Sequence, residues 1–246
     1  MIRAPRVSTG EDHSCRHGGC EVHRRPDLRR QPLRSAEKLR RAGQGRRTIS
    51  LAALLDHPPG QVGDNDFTGL ESCCAKAAVR MVVGQDHMLD GFVANAGQLG
   101  QMAPMPHIDP EIFEKTIMVN LTSIWYQIAA FDTLLRASNA GRAVLVSSGA
   151  AQGARAYWGA YAVSKAGLEA MARAWAAESE KTEMRINLID PGATRTAMRA
   201  AAYPGEDPDS LRTAEDITPA FLHLLSPNCT SQGMLYKAAE LSAKLG

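Results

Sequence analysis

Three short apolar runs, each ending in small polar residues, constrain this chain more than any other feature. They are LDGFVANAG (89–97), GRAVLVSSG (141–149) and MRINLIDPG (184–192). Their apolar residues are nearly continuous rather than alternating, the pattern of strands covered on both faces, as in a parallel sheet. Long helical stretches separate them. The first, IDPEIFEKTIMVNLTSIWYQIAAFDTLLRAS, has Asp109 placed to cap the helix and Pro110 at its first position, and it predicts one helix to about Ser138. The second, AYWGAYAVSKAGLEAMARAWAAESEK, is rich in alanine and predicts a second long helix. A polar Pro/Gly-containing segment to about Arg212 and a short helix up to Leu225 follow.

Strand, helix, strand, helix, strand predicts an α/β domain: a doubly wound parallel sheet in three α/β/α layers. In such sheets ligands bind outside the carboxyl ends of the strands. That rule brings Asn95-Ala96-Gly97, Ser147-Ser148 and Pro191-Gly192 to one edge.

Composition narrows the class. The chain has 246 residues, 44% hydrophobic and 22% charged, which suits one globular domain with a sizeable core. No apolar run reaches membrane-spanning length, and the arginines near residue 1 are not followed by an apolar segment. A cytoplasmic protein with neither membrane anchor nor secretory signal is expected. Five cysteines, two of them adjacent, predict free thiols rather than a disulfide framework.

At the expected edge, Tyr161 and Lys165 lie four residues apart on a helix and so share a face. A free phenol has a pKa of about 10, and a nearby ammonium favours the phenolate. The spacing therefore predicts that Lys165 brings Tyr161 toward neutral pH as an acid or base. Ser148, thirteen residues before the tyrosine, can hydrogen-bond a carbonyl or hydroxyl and hold it toward Tyr161. Each residue also has an ordinary reading. Tyr161 could be a core tyrosine, Lys165 a solvated helix lysine, Ser148 a turn cap, and Asn120 a mid-helix residue bonded to backbone.

Asn-Ala-Gly after a strand, Asn120 in MVNLTS, Ser148 after the next strand, YAVSK, and DPGATRT after a third strand together resemble the short-chain dehydrogenase/reductase family. The match covers about residues 89–225, and residues 49–246 are expected to form its Rossmann-like domain. The resemblance implies NAD(P)-dependent interconversion of an alcohol and a ketone or aldehyde. Tyr161 would be the acid/base, Ser148 the substrate-orienting residue, and Lys165 the residue that lowers the phenol pKa and holds the nicotinamide ribose. Asn120 would support a water linking the lysine to solvent. Cofactor contacts would come from Asn95, Ala96, Gly97, Tyr161, Lys165, Pro191, Gly192, Thr194 and Thr196. Residues 193–212 would form a mobile substrate lid, lined by Met198 and Tyr203. A homodimer or homotetramer through the two long helices is implied as well.

The first fifty residues depart from that pattern. They hold 13 Lys/Arg against 5 Asp/Glu, a balance of +8, and leave 15 against 21 for the remainder, a balance of −6. The family's glycine loop begins at Thr9-Gly10, but its next two glycines would fall on Ser14 and Arg16, with Glu11 and Asp12 where phosphate belongs. RRPDLRRQPLRS has two prolines and five arginines and cannot be a central strand. RSAEKL (34–39) again resembles the segment after the family's second strand, and Arg34-Ser35 there would favour NADP over NAD. The foreign stretch between these flanks reads like paired compensating frameshifts between about codons 11 and 33. Residues 1–48 are therefore set apart as an aberrant basic segment, disordered or misfolded, and LESCCAKAAVRMVVG (70–84) is expected to be a helix. The alternative function is a degenerate relative without its cofactor loop, inactive or acting as an interaction partner.

Two other readings of this segment are weaker. HSCRHGGCEVH has zinc-ligand residue types but no second pair at ligand spacing, so no metal is expected. The basic balance lacks aromatic interleaving or a recognisable motif, so no nucleic-acid partner is expected.

Overall fold

The computed structural model describes residues 88–153 and 155–245 together with a short strand at 48–50. The Thr9-Gly10 loop, RSAEKL, the HSCRHGGCEVH stretch, nearly all of the 1–48 segment and the helix expected at 70–84 lie outside the described residues. The division drawn between 48 and 49 falls within the short strand.

Five described strands form one parallel sheet, ordered as they occur in the chain: β1 (Thr48–Ser50), β2 (Gly91–Ala94), β3 (Arg142–Val146), β4 (Arg185–Asp190) and β5 (Leu235–Lys237). Sequential parallel order is that of one wing of a Rossmann-like sheet. Between β2 and β3 run α1 (Pro110–Ile117), a π-helical turn (Met118–Thr122) and α2 (Ser123–Ala137). Between β3 and β4 runs α3 (Gly159–Glu178). After β4 come α4 (Ala197–Ala202) and α5 (Ala214–Leu225), and after β5 comes α6 (Ala238–Leu245).

The apolar runs are continuous because both sheet faces are covered. Phe92, Ala94, Ala143, Leu145, Ile186 and Leu188 point to one side, into a core with Ile124, Phe131 and Leu135 of α2 and Leu168, Ala172 and Trp175 of α3. Val93, Val144, Val146 and Ile189 point to the other, against Ile217, Ala220 and Leu224 of α5 and Leu241 of α6. Successive strand side chains alternate faces, so each strand feeds both cores. The result is the three-layer arrangement expected.

The helix expected to run unbroken to Ser138 does span that region, but it widens by one residue per turn at Met118–Thr122. Asp109 caps it as expected, accepting from Glu111 N at 2.9 Å and Ile112 N at 3.3 Å. The wide turn contains Asn120, which is fully buried. Such turns commonly mark functional positions. The second long helix starts at Gly159 rather than 156. Before it the chain turns sharply, with Tyr157 at φ +71°. An aromatic residue in that region is strained. The 193–212 segment is more regular than expected. It holds α4 and is tied across its base by Arg195 N donating to Arg212 O at 2.8 Å. No described helix is long and apolar enough to cross a membrane.

Candidate active site

β3 delivers Ser147 and Ser148 to the carboxyl edge, and α3 lays Tyr161 and Lys165 against them. Tyr161 and Lys165 are both buried on the same helix face, as four-residue spacing requires. The Ser148 hydroxyl lies beside the Tyr161 phenol and accepts from Ala150 N at 3.3 Å. Lys165 Nζ donates to Val146 O at 2.8 Å and lies 5.9 Å from the centre of the Tyr161 ring.

The electrostatics correct one expectation, that Lys165 draws the Tyr161 pKa downward. Instead, burial holds the phenol above its ordinary value, and the carboxylate of Asp190 adds to the rise. The hydrogen bond from Ser148 acts in the opposite direction and does not overcome burial. Lys165 is itself depressed to about 8 by burial. The spacing captures the shared face but not the desolvation, which penalises both charged forms.

Asn120 has a structural task. Its Oδ1 accepts from Gln98 N at 2.8 Å, and its Nδ2 donates to Gln98 O at 2.9 Å and to Ser164 Oγ at 3.0 Å. Ser164 Oγ in turn donates to Tyr161 O at 2.7 Å. The side chain therefore clips the turn after β2 to the helix that carries Tyr161. It bonds backbone, one of the ordinary readings, while standing inside the site.

The turn after β2 places Asn95 exposed, Ala96 buried and Gly97 half-buried. A Cβ at Gly97 would lie 3.5 Å from Lys165 Nζ and 3.6 Å from Asn120 Oδ1. Glycine there keeps side-chain carbon away from the ammonium. After β4, Gly192 has φ +70°, and its N–H donates to Asp190 Oδ1 at 2.9 Å. Thr194 is buried and its hydroxyl donates to Pro191 O at 3.2 Å. Thr196 is exposed and caps α4, its hydroxyl accepting from Arg199 N at 3.1 Å. The structure thus gathers Ser148, Tyr161 and Lys165 at the end of β3, with Asn120 joined to the Tyr161 backbone through Ser164 and with Gly97 beside Lys165 and Asn120. Asp190 links this group to the Pro191–Thr196 turn, which has largely internal bonding.

Several neighbours were not legible in the sequence. Trp158 stands edge-on to Tyr161 with ring centres 5.7 Å apart, and 5.9 Å from Tyr203. Arg155 Nη1 donates to the Tyr203 hydroxyl at 2.8 Å. Arg199 lies 3.8 Å over the Tyr203 ring and binds Glu206 through two contacts of 2.6 Å. These residues fasten the 193–212 segment over the turn before α3. A pocket of about 330 Å³ lies within the segment, lined by Thr196, Arg199, Tyr203 and Leu211 among others, but not by Tyr161. Asp190, at the end of β4, could have been marked by the strand-end rule that selected Pro191.

A buried lysine behind a glycine turn, beside a buried phenol, suits the nicotinamide-ribose end of a dinucleotide, whose hydroxyls accept from an ammonium. The described residues fit that end.

Comparison with known proteins gives one family. The profile of short chain dehydrogenases matches residues 66–207. An uncharacterised oxidoreductase, YciK of Escherichia coli K12, is 40% identical over 166 residues, which cover 67% of this chain and 65% of that protein. The crystal structure of yciK from E. coli superposes with a TM-score of 0.65 at 38% identity, covering 68% of each chain. A short chain dehydrogenase of Escherichia coli CFT073, solved in complex with NADPH, gives the same TM-score of 0.65 and identity of 38%, over 68% of this chain and 70% of that one. Profile and superposition agree with the order of the strand-end residues: the chain belongs to the short chain dehydrogenase family.

Proposed function

We propose that this chain is an NAD(P)-dependent oxidoreductase that interconverts an alcohol with a ketone or aldehyde. One observation carries the reading: the Tyr161 phenol, beside the Ser148 hydroxyl, stands on the same helix face as a buried lysine behind Gly97. Bound reduced nicotinamide would supply the hydride. In carbonyl reduction Tyr161 donates its proton to the substrate oxygen, and Ser148 holds that oxygen in line. Lys165 holds the ribose, and Asn120 fixes the Gly97-Gln98 turn that borders it. The water relay expected at Asn120 belongs to this reading too.

A phenol held above its ordinary pKa is protonated at neutral pH, the form that carbonyl reduction needs. Trp158 and Tyr203 supply an aromatic wall that suits an apolar carbonyl compound. NADP is the preferred cofactor, supported by Arg34-Ser35 and by NADPH in the E. coli CFT073 relative. A dimer or tetramer through the long helices is part of the proposal; α2 and α3 expose Trp125 and Val163.

The second reading, a relative that keeps the fold without catalysis, is favoured by Glu11, Asp12, Ser14 and Arg16 in the cofactor-loop positions. Titration of the purified chain with NADPH and NADH, followed by cofactor fluorescence, separates the two. Micromolar binding, with carbonyl reduction that Tyr161→Phe abolishes, supports the enzyme. No binding at millimolar cofactor rejects it and favours the second reading.

A further inference from the structure

Glu169 is a buried carboxylate that the proposed chemistry does not use. It lies four residues beyond Lys165 and eight beyond Tyr161, on the same face of α3. Its Oε1 accepts from the Ser147 hydroxyl at 2.6 Å, and its Oε2 accepts from Arg173 at 2.8 Å. Ser147 is fully buried, and its N–H donates to Ile189 O on the neighbouring strand at 2.8 Å. A carboxylate is costly to bury unless its lone pairs are used, and here both oxygens are.

Three consecutive residues at the end of β3 thus meet three residues of one helix. Val146 is held through its carbonyl by Lys165, Ser147 through its hydroxyl by Glu169, and the Ser148 hydroxyl lies beside the Tyr161 phenol. Ser148 follows the last strand residue by two and has left the sheet ladder, with extended backbone leading into a short 3-10 turn. Its side-chain direction therefore depends on how the residue before it is anchored. We propose that Glu169, acting through the Ser147 hydroxyl, is a positioning residue that aims Ser148 at Tyr161. The significance for turnover rests on the proposed role of Ser148, but the positioning itself is a property of the free chain.

The test reads Tyr161 directly and needs neither cofactor nor substrate. The protein is prepared with tyrosine isotope-labelled at Cζ, and the Tyr161 resonance is assigned by its loss in Tyr161→Phe. Ser148→Ala sets the displacement caused by losing the hydroxyl contact. Ser147→Ala and Glu169→Ala are expected to reproduce most of that displacement at neutral pH. Glu169→Gln keeps an oxygen acceptor for Ser147 and is expected to leave the resonance near its wild-type position. Ser147→Ala added to Ser148→Ala is expected to cause no further change, since the two act in series. If Ser147→Ala leaves the resonance unmoved, or shifts it equally with and without Ser148, the inference is overturned. Ser147→Ala removes a single oxygen and carries the test even where Glu169→Ala does not fold. Failure of cofactor binding would reject the proposed function and leave this result standing.

Discussion

Replacing Lys165 with methionine should stabilise the fold while removing its proposed function. The lysine is almost fully buried, and its pKa falls from 10.5 to about 8. At 1.36 kcal/mol per pH unit, keeping that charge inside the protein costs roughly 3 kcal/mol at neutral pH. Methionine fills a similar apolar volume and carries no charge. The substitution also orphans Val146 O, which now accepts from Nζ at 2.8 Å, at a cost of about 1–2 kcal/mol. The net gain is about 1–2 kcal/mol at pH 7, a rise in Tm of a few degrees for a chain of this size.

The pH dependence identifies the cause. The folded pKa is below the unfolded one, so between about pH 8 and 10.5 the unfolded chain binds more protons. Wild-type stability therefore rises with pH across that window, and the full penalty is present below it. Lys165→Met lacks this term. Its advantage should be largest at pH 7 and should vanish, then reverse, by about pH 10.5. Urea unfolding of both proteins at pH 7 and pH 10 makes the comparison. A variant less stable at pH 7, by a margin that does not change at pH 10, would refute the reasoning.

Four further outcomes are expected. Tyr161→Phe should lower carbonyl reduction by about 10²–10⁴-fold while leaving NADPH affinity near wild type, measured by steady-state kinetics and fluorescence titration. Reduction by the wild type should decline as pH rises above about 8, where Lys165 loses its charge, and the pH profile of kcat/KM tests this. Gly97→Val should weaken NADPH binding by about tenfold or more, because side-chain carbon beside Lys165 Nζ covers the ammonium; calorimetry would show it. Arg142→Met should destabilise the fold by about 2–4 kcal/mol in urea unfolding, because buried carbonyls lose their donor. The buried guanidinium donates to Gly141 O, Glu183 O, Ser226 O and Pro227 O, joining β3 to the chain before β4 and after α5.

The strands and long helices between 89 and 225 were legible because burial on two faces leaves an apolar run that few other structures require. The sequence also placed Tyr161 and Lys165 on one face, since that follows from helical geometry alone. Desolvation was not legible. Nothing in Tyr-x-x-x-Lys says that the phenol is pushed up and the lysine down, because the cause lies in residues that close over them from elsewhere. β5 and α6 went unread because Leu235–Lys237 is three residues long and carries no period. The π-helical turn was hidden for a related reason: the extra residue leaves the composition of 110–137 unchanged and only rotates the helix beyond it. Glu169 could have been found, since Tyr161, Lys165 and Glu169 recur every four residues. The strained turn at Tyr157 has no signal in a sequence that places neither glycine nor asparagine there.

The match between α3 and the end of β3 sets a rule for how this site can change. Four residues of helix return to nearly the same face, so Tyr161, Lys165 and Glu169 all face the end of β3. The three contacts hold only while that four-residue spacing is kept. One residue inserted between Tyr161 and Glu169 would turn the later contacts by about 100° and carry Glu169 off the strand. No side-chain substitution could restore it. The 193–212 segment is fastened at its base and by surface pairs, so it can lengthen or shorten without disturbing that spacing. Sequence change therefore has room in the covering segment, while Tyr161, Lys165 and Glu169 stay fixed in number and spacing.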